Sequence, residues 1–392
     1  MKPTMKFLVF CVLVLACSSL LTAQKYSDRW GVEKKESFKV AKGGKLVLSV
    51  EGGDVRIIPW DKNEVAVRAL SDEEEDFEEL QMNLRENTVR VENYSSCSEC
   101  DIQYEASVPK EFDIKIQTSA GNIEIQSGLT GDLVGRTSAG DIKLGSLSGT
   151  IDMKTSGGNI KCGDSKGDLT LVTSGGDIIV GKVNGVCEVS TSGGDIRVES
   201  VSKTLDAQTA GGDVCIGDVG GEATVTTSGG TIIVGKVGGK ASLTTAGGDI
   251  EIASATGVIT ARTAGGNLDL QNITGSITAK TAGGDVVAQL IPSGKGKSKL
   301  TTAAGDIKLY IPENAKATIN ARIRVQGRWG DDEDDYHIKS DFKSTIYNIR
   351  GDDEGDITVI YILNGGGETI YLETSNADIQ IRKMSGRGKS KR

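Results

Sequence analysis

The sequence predicts an all-β protein, a parallel β-helix (β-solenoid) of 18-residue coils capped by antiparallel β flanks. Three observations carry that expectation. The string Thr-(Ser/Ala)-(Gly/Ala)-Gly-(Asp/Asn) recurs at Thr118, Thr137, Thr155, Thr173, Thr191, Thr209, Thr227, Thr245, Thr263, Thr281 and Thr302, with only Thr231 departing at the last position, and eight of the ten intervals are eighteen residues. Between the strings, apolar residues alternate with polar ones and are broken by Gly-rich turns, the period of short strands rather than of helix. Finally, 52 Gly with 5 Pro and 4% aromatic residues cannot fill a wide globular core, yet the strict apolar spacing excludes simple disorder.

One repeat, Thr173 to Ser190, shows the design. Counting Thr173 as position 1, apolar side chains fall at Ile178 and Val180, at Val183, and at Cys187 and Val189, with Gly at positions 3, 4, 9 and 13. A unit this small cannot bury its own apolar side, so it must stack on its neighbours. Ten coils at the ~4.8 Å strand spacing give a rod on the order of 50 Å long. Stacking sets Ile and Val over like residues inside, continues the inward row with Thr at position 1, and places Gly pairs at one corner, where a tight bend calls for positive φ. The 21-residue interval before Thr302 holds a looped insertion at Ser293-Gly-Lys-Gly-Lys297.

The flanks depart from the repeat. Residues 47–69 contain an outlying coil, and Gln81 to Val108 predicts antiparallel strands turning at Glu86-Asn87. Thr318 to Val325, Ser344 to Ile349 and Ile357 to Leu363 predict longer strands, after which residues 365–381 return to the repeat. Such flanks would cap ends that otherwise recruit other strands. The expected organisation is a signal peptide over 1–23, an N-terminal β cap with the first coil over 24–117, the solenoid over 118–311, a C-terminal β cap with the final coil over 312–384, and a basic disordered tail over 385–392.

Residues 1–23 have signal-peptide grammar: Lys2 and Lys6, an uncharged apolar stretch from Phe7 to Leu21, and Thr22-Ala23 before Gln24. Cleavage there predicts an exported chain, in the periplasm, at the cell surface or outside the cell. Lipidation of Cys17, from a loose Val14-Leu15-Ala16-Cys17 lipoprotein box, is the alternative. No later stretch is apolar over the roughly 18 residues a spanning helix needs. Losing Lys2 and Lys6 takes the formal net charge from −9 to −11, 43 Lys and Arg against 54 Asp and Glu, a balance ill suited to nucleic acid. The acidic runs at Asp72 to Asp76 and Asp331 to Asp335 are expected to be solvated loops. Of the five cysteines left, Cys97 and Cys100 are close enough to close a small disulfide loop; with no further Cys or His nearby they make a poor zinc site.

Taken together, the Val108-Pro109-Lys110 entry, the Thr-Ser-Ala-Gly-Asp-type strings from Thr118 and the closing Thr-Ser-Asn-Ala-Asp-Ile at residues 374–379 resemble the bacterial putative adhesin family, exported or membrane-attached proteins of unknown function. The likeness runs over residues 47–381. It implies a role at the cell envelope and brings no functional residues to carry over.

Candidate chemistry is sparse. Position 5 holds Asn122, Asp141, Asn159, Asp177, Asp195, Asp213, Thr231, Asp249, Asn267, Asp285 and Asp306. A calcium row would relieve the repulsion of stacked carboxylates, with Asp177, Asp195 and Asp213 as the candidate ligands. Free exchange of Asp with Asn and Thr instead favours a side-chain hydrogen bond to the turn backbone. A polysaccharide-active enzyme would need clustered acids or bases and sugar-stacking aromatics, but residues 118–302 contain no Trp, Tyr, Phe or His. The single histidine, His337, is expected at the surface or in a cap. The outward positions 16 and 18 carry Asp152 and Lys154, Thr224 and Thr226, Ser242 and Thr244, Thr260 and Arg262, Thr278 and Lys280, a polar wall suited to a protein or glycan partner or simply to solvent. The expectation is a non-enzyme without cofactor, acting as a structural or interaction module; a polysaccharide-active β-helix enzyme and a self-assembling envelope scaffold are the alternatives.

Overall fold

The computed structural model describes residues 31–94, 102–293, 296–325, 336–348 and 356–384. It is all-β apart from one short 3-10 turn, Glu75–Phe77, and its strands form a large mixed sheet wound into a solenoid-like body. The expected signal peptide, Cys17, the Cys97–Cys100 pair, the acidic run at 331–335 and the basic tail lie outside the described residues.

Within the body, the repeats contribute strands that pair in parallel with the repeats on either side, two per repeat from Ile178 to Thr244 and one long strand each at Ile250–Arg262 and Leu268–Lys280. Ile178–Val183 pairs with Ile196–Val201, setting Ile178 beside Ile196 and Val180 beside Val198. Cys187–Ser190 pairs with Leu205–Gln208, setting Cys187 beside Leu205. Partners are eighteen residues apart, so like positions stand over like positions. Period-two alternation then decides which side chains face in: Ile178, Val180, Val183, Cys187 and Val189 are all buried. One inward row runs Ile142, Ile160, Ile178, Ile196, Val214, Ile232, Ile250, Leu268. Along the 21-residue interval the offset first slips, from Leu270 beside Ala288 to Ile273 beside Leu290, and then lengthens, with Gly275 beside Pro292 but Thr278 beside Lys299.

The Thr at position 1 is buried in every repeat, and its hydroxyl is satisfied twice. Thr173 Oγ1 donates to the Gly158 carbonyl of the previous coil at 2.8 Å and accepts the N–H of Gly176 in its own turn at 3.4 Å. A valine of similar shape would leave both backbone groups without that partner.

The corner glycines serve a different purpose from the one the sequence suggested. From Gly140 onward, the second glycine of the string is not among the residues with positive φ. A Cβ on Gly158 would lie 2.1 Å from the Gly140 carbonyl oxygen, and one on Gly176 would lie 2.2 Å from that of Gly158. Neighbouring coils approach so closely here that only hydrogen fits between their backbones. The first glycine is looser: a Cβ on Gly157 would sit 3.5 Å from the Ala139 oxygen, and alanine already fills this position at Ala139 and Ala304.

At both ends the parallel stack gives way to antiparallel strands. Gln81–Arg85 turns back on Thr88–Asn93 through Glu86, at φ 55°, while Val32–Lys39 and Gln103–Pro109 flank Glu64–Ser71. Val32–Lys39, which among the described residues pairs with Glu64–Ser71 alone, is studded with Glu33, Lys34, Lys35, Glu36 and Lys39, charges that discourage further strand addition. At the other end Ile357–Leu363 lies antiparallel to Ala317–Arg324 and to Ile346–Asn348.

The stacking order at the ends differs from the order of the chain. Gly44–Gly52 sits between Phe112–Ala120 and Thr88–Asn93, so the first coil in sequence is the second in space. Likewise Glu368–Ser375 lies between Lys297–Thr301 and Ala317–Arg324, and Ile379–Lys383 between Ile307–Ile311 and Ile338–Ser340. The final coil is therefore inserted one layer in from the end that it closes.

Candidate functional surface

Stacking brings the position-5 residues into single file along one edge of the body. Each Oδ1 accepts the backbone N–H of the same position in the next coil: Asp177 from Asp195 at 2.8 Å, Asp195 from Asp213 at 2.9 Å, Asp213 from Thr231 at 2.8 Å. Asn159 does the same for Asp177 at 2.9 Å, which explains why Asp and Asn interchange: both supply the accepting oxygen. The bond reaches the neighbouring coil rather than the residue's own turn, a correction to the local cap expected from sequence. It stitches successive repeats together.

The file extends beyond the repeats. Asp54 Oδ1 takes the Asn122 N–H at 2.7 Å; at the far end Asp306 takes that of Asp378 at 2.9 Å, and Asp378 that of His337 at 2.7 Å. Sequence reasoning missed Asp54 and Asp378 as rungs, although Gly52-Gly53-Asp54-Val55 and Asn376-Ala377-Asp378-Ile379 carry the signal. The exposed His337 thus enters through its backbone, as the last rung. The second oxygens of two rungs pair with cations on their own side of the sheet, Asp195 with Arg197 at 2.9 Å and Asp378 with Lys339 at 3.4 Å. Among the described residues, no three His, Cys, Asp or Glu side chains are grouped to hold a metal ion. Asp177, Asp195 and Asp213 stand in a column one coil apart, each with an oxygen already committed to an amide.

The outward wall forms as the register dictates. Thr224, Ser242, Thr260 and Thr278 make one row, and Thr226, Thr244, Arg262 and Lys280 the next. Asp152 and Lys154, toward the other end of the same face, pair at 3.4 Å. The surface is a lattice of hydroxyls in register, with Arg262 and Lys280 at one end.

At another corner, a depression of about 360 Å³ crosses four coils, lined by Asp164, Lys166, Lys182, Asn184, Ser202 and Asp218 among others. Its polar groups are engaged in stitching: Asp164 accepts the Lys182 N–H at 2.9 Å, Asp218 that of Lys236 at 3.0 Å, and Ser202 Oγ donates to Asn184 Oδ1 at 3.1 Å. Its lining contains neither histidine nor cysteine. Two thiols are buried elsewhere, inside the solenoid: burial pushes both Cys162 and Cys187 up to about 12, with the Asp164 charge adding to it at Cys162 and the Glu188 charge at Cys187. Such thiols stay protonated and unreactive. In the N-terminal flank, burial raises Tyr104 to about 12 while the Asn93 amide, 2.8 Å from its hydroxyl, opposes the shift. No helix among the described residues is long and apolar enough to cross a membrane.

Fold and surface together define an all-β, solenoid-like body with regular, polar outward rows. Residues 185–361 are similar to the family model Toastrack DUF4097, which describes a domain of unknown function. No curated protein matches the chain. Solved structures similar to it include a putative adhesin from Parabacteroides distasonis, at 14% identity over 70% of this chain and 97% of that one, with a TM-score of 0.30. A putative cell adhesion protein from Clostridium sporogenes is 9% identical over 90% and 100%, with a TM-score of 0.17. A putative adhesin from Parabacteroides merdae is 11% identical over 72% and 90%, with a TM-score of 0.26. At those scores the likenesses carry no argument about this chain.

Proposed function

We propose that this chain is an exported, non-catalytic interaction module of the cell envelope, in which each eighteen-residue repeat is one full coil of a parallel β-helix and the coils hold out a polar face to a protein or glycan. The observation that carries this reading is the use of the polar side chains. Those at the corners, the position-5 carboxylates and amides and the buried threonines, bond to the backbone of adjacent coils, which leaves them poorly placed for proton transfer or nucleophilic attack. Those on the wall, from Thr224 to Thr278, stand in register on parallel strands and remain available to a partner.

The eighteen-residue offset between partners supports the one-coil reading of the repeat. The test is a glycan array and a reducing-sugar assay run on one purified sample of the exported protein. Binding without release of reducing ends supports the module; release of reducing ends overturns it in favour of a polysaccharide-active enzyme.

A further inference from the structure

The outward wall carries a second pattern, in the sign of its charges. Eight consecutive coils in parallel register display it, from Leu169–Val172 through Ala223–Thr226 and Ala241–Thr244 to Lys297–Thr301. At outward positions 14, 16 and 18, each of the first four coils presents one acid and no base: Asp168, Glu188, Asp206 and Glu222. The corresponding positions of the next four present Lys240, Arg262, Lys280, Lys297 and Lys299 and no acid. The sign changes once, between Glu222 and Lys240.

Folding of one molecule gives no reason for this segregation, because like charges on neighbouring strands oppose the stack. Another face shows the arrangement that supports it, with Lys143 on one coil 2.9 Å from Glu124 on the coil before. Along the wall, Glu188, Glu222, Lys240, Arg262, Lys280 and Lys297 are exposed and form no ion pair among the described residues. Asp168 approaches Lys203 only to 4.0 Å, and Lys299 pairs with Glu373 at 3.5 Å.

Reversed end for end, the pattern is its own complement. Rotation by half a turn about an axis parallel to the strands, between Ala223–Thr226 and Ala241–Thr244, lays the wall face to face on a second wall running the opposite way. Glu222 then faces Lys240, Asp206 faces Arg262, Glu188 faces Lys280 and Asp168 faces Lys297, and symmetry makes every pairing twice. Two walls running the same way would instead set acid on acid. Thr224, Thr226, Ser242 and Thr244, at the centre, are too short to hold the faces apart.

We propose that this wall docks on a second copy of this chain in an antiparallel, twofold arrangement. The inference rests on the reading of the wall as the contact surface and names its partner. Eight coils at ~4.8 Å, each about five residues wide at ~3.3 Å per residue, offer a face on the order of 600 Å² per copy, at the lower end for a specific complex. Such a dimer is weak, reversible and sensitive to salt.

Sedimentation equilibrium of the full chain, in wild-type and charge-reversed forms, provides the test. The wild type should pass from monomer to dimer as concentration rises at low salt, and return to monomer at ~0.5 M salt, where screening leaves only the closest charges in contact. Glu188→Lys and Lys280→Glu alone should each weaken the dimer by about tenfold or more, because symmetry counts each change twice. An equimolar mixture of these two variants should recover it, since each altered wall then meets its opposite. Lys161→Glu, the same change of charge on another face, should leave association unaltered. A wild type that stays monomeric at low salt, a dimer indifferent to Lys280→Glu or equally weakened by Lys161→Glu, or a mixture that does not recover overturns the proposal. The glycan array and reducing-sugar assay separate its failure from that of the reading beneath it. A monomer that holds glycans leaves the module standing without self-docking, whereas a dimer that releases reducing ends keeps the docking and removes the module.

Discussion

The body between residues 118 and 290 and the C-terminal end beyond 297 use the same coil but assemble it by different rules. Through most of the body, from Leu133 to Ala288, a residue meets its partner eighteen positions along the chain, so each coil can settle on the one made before it. At the end, Lys299 meets Tyr371 and Gly305 meets Thr374, contacts spanning some seventy residues. Closing the longer loop costs only slightly more entropy, about 0.6 kcal/mol per doubling of its length. What changes is specificity: repetition fixes register in the body, whereas the end depends on side-chain marks such as the hydrogen bond from Ser298 to Glu368. A body made of like neighbours should fail where any one interface is blocked, and the end should fail where its marks are lost.

The largest effect is expected at the closest backbone approach. Gly158→Ala sets a Cβ 2.1 Å from a carbonyl that cannot move aside and should cost about 3 kcal/mol or more, whereas Gly157→Ala, at 3.5 Å, should cost less than about 1 kcal/mol. Thermal melts of the two variants check this, and equal destabilisation would show that the coils do not pack as described.

Next comes cavity formation. Leu171→Ala in the body and Leu372→Ala in the inserted coil each empty a fully buried site and should cost about 2–5 kcal/mol locally. The comparison lies in where that loss appears. Leu171→Ala should lower the main unfolding transition, while Leu372→Ala should open the end to protease well before the body melts.

A smaller effect is expected from pH, and it is confined to the end. Burial holds the Glu368 carboxyl above the ordinary glutamate range, against hydrogen bonds from Ser298 and the Ser293 backbone that act the other way. Its folded state therefore prefers the proton. That contribution is full below the ordinary glutamate value of about 4.3 and is lost as pH rises through the elevated one. Asp341 has the opposite sign: the Lys383 N–H, and after it Arg382, hold it below the ordinary aspartate range, so its contribution is lost only under stronger acid. Denaturant midpoints for the end should accordingly fall from mildly acidic toward neutral pH in the wild type, and this fall should flatten in Glu368→Gln. An unchanged slope in the variant would remove Glu368 from the account.

The smallest effects test the position-5 file. Asp213→Ala removes the acceptor for the Thr231 N–H and should cost about 1 kcal/mol, while Asp213→Asn keeps the oxygen and should be near neutral. Chelator should leave the melting temperature unchanged, since a cation bound only by the folded state would stabilise it. A large drop with chelator would make Asp177, Asp195 and Asp213 calcium ligands after all.

The contrast between body and end also explains what could be read from the sequence. Inward residues such as Ile178, Val180 and Val183 were legible because alternation and repetition both point to them. The strand Ile357–Leu363 and the turn at Glu86-Asn87 were legible from apolar runs and a polar break. The reason for the second glycine was not, because φ and close approach demand the same residue and only the distance from Gly158 to Gly140 separates them. Nor was the insertion of residues 368–383, since a repeat pattern tells which coils are alike without telling which are neighbours. For the surface, the Thr rows were visible from position alone, but the commitment of the Asp file to the next coil requires three-dimensional pairing. The disulfide expected at Cys97 and Cys100 falls outside the described residues.

Every row and contact described above depends on one repeat being one coil, and a pair of deletions tests that directly. Removing residues 209–226 joins Gln208 to Thr227 with every row still in register, so the variant should remain folded, as expected where stability is roughly a sum over units and their interfaces. Removing residues 209–217 sets half a coil over the wrong half and brings turn glycines over strand positions, so this variant should lose its β signal or aggregate through mismatched edges. Circular dichroism and protease resistance are the measurements. Structure retained by the eighteen-residue deletion and lost by the nine-residue one is the predicted result; equal tolerance of both would contradict the coil, the file and the wall together.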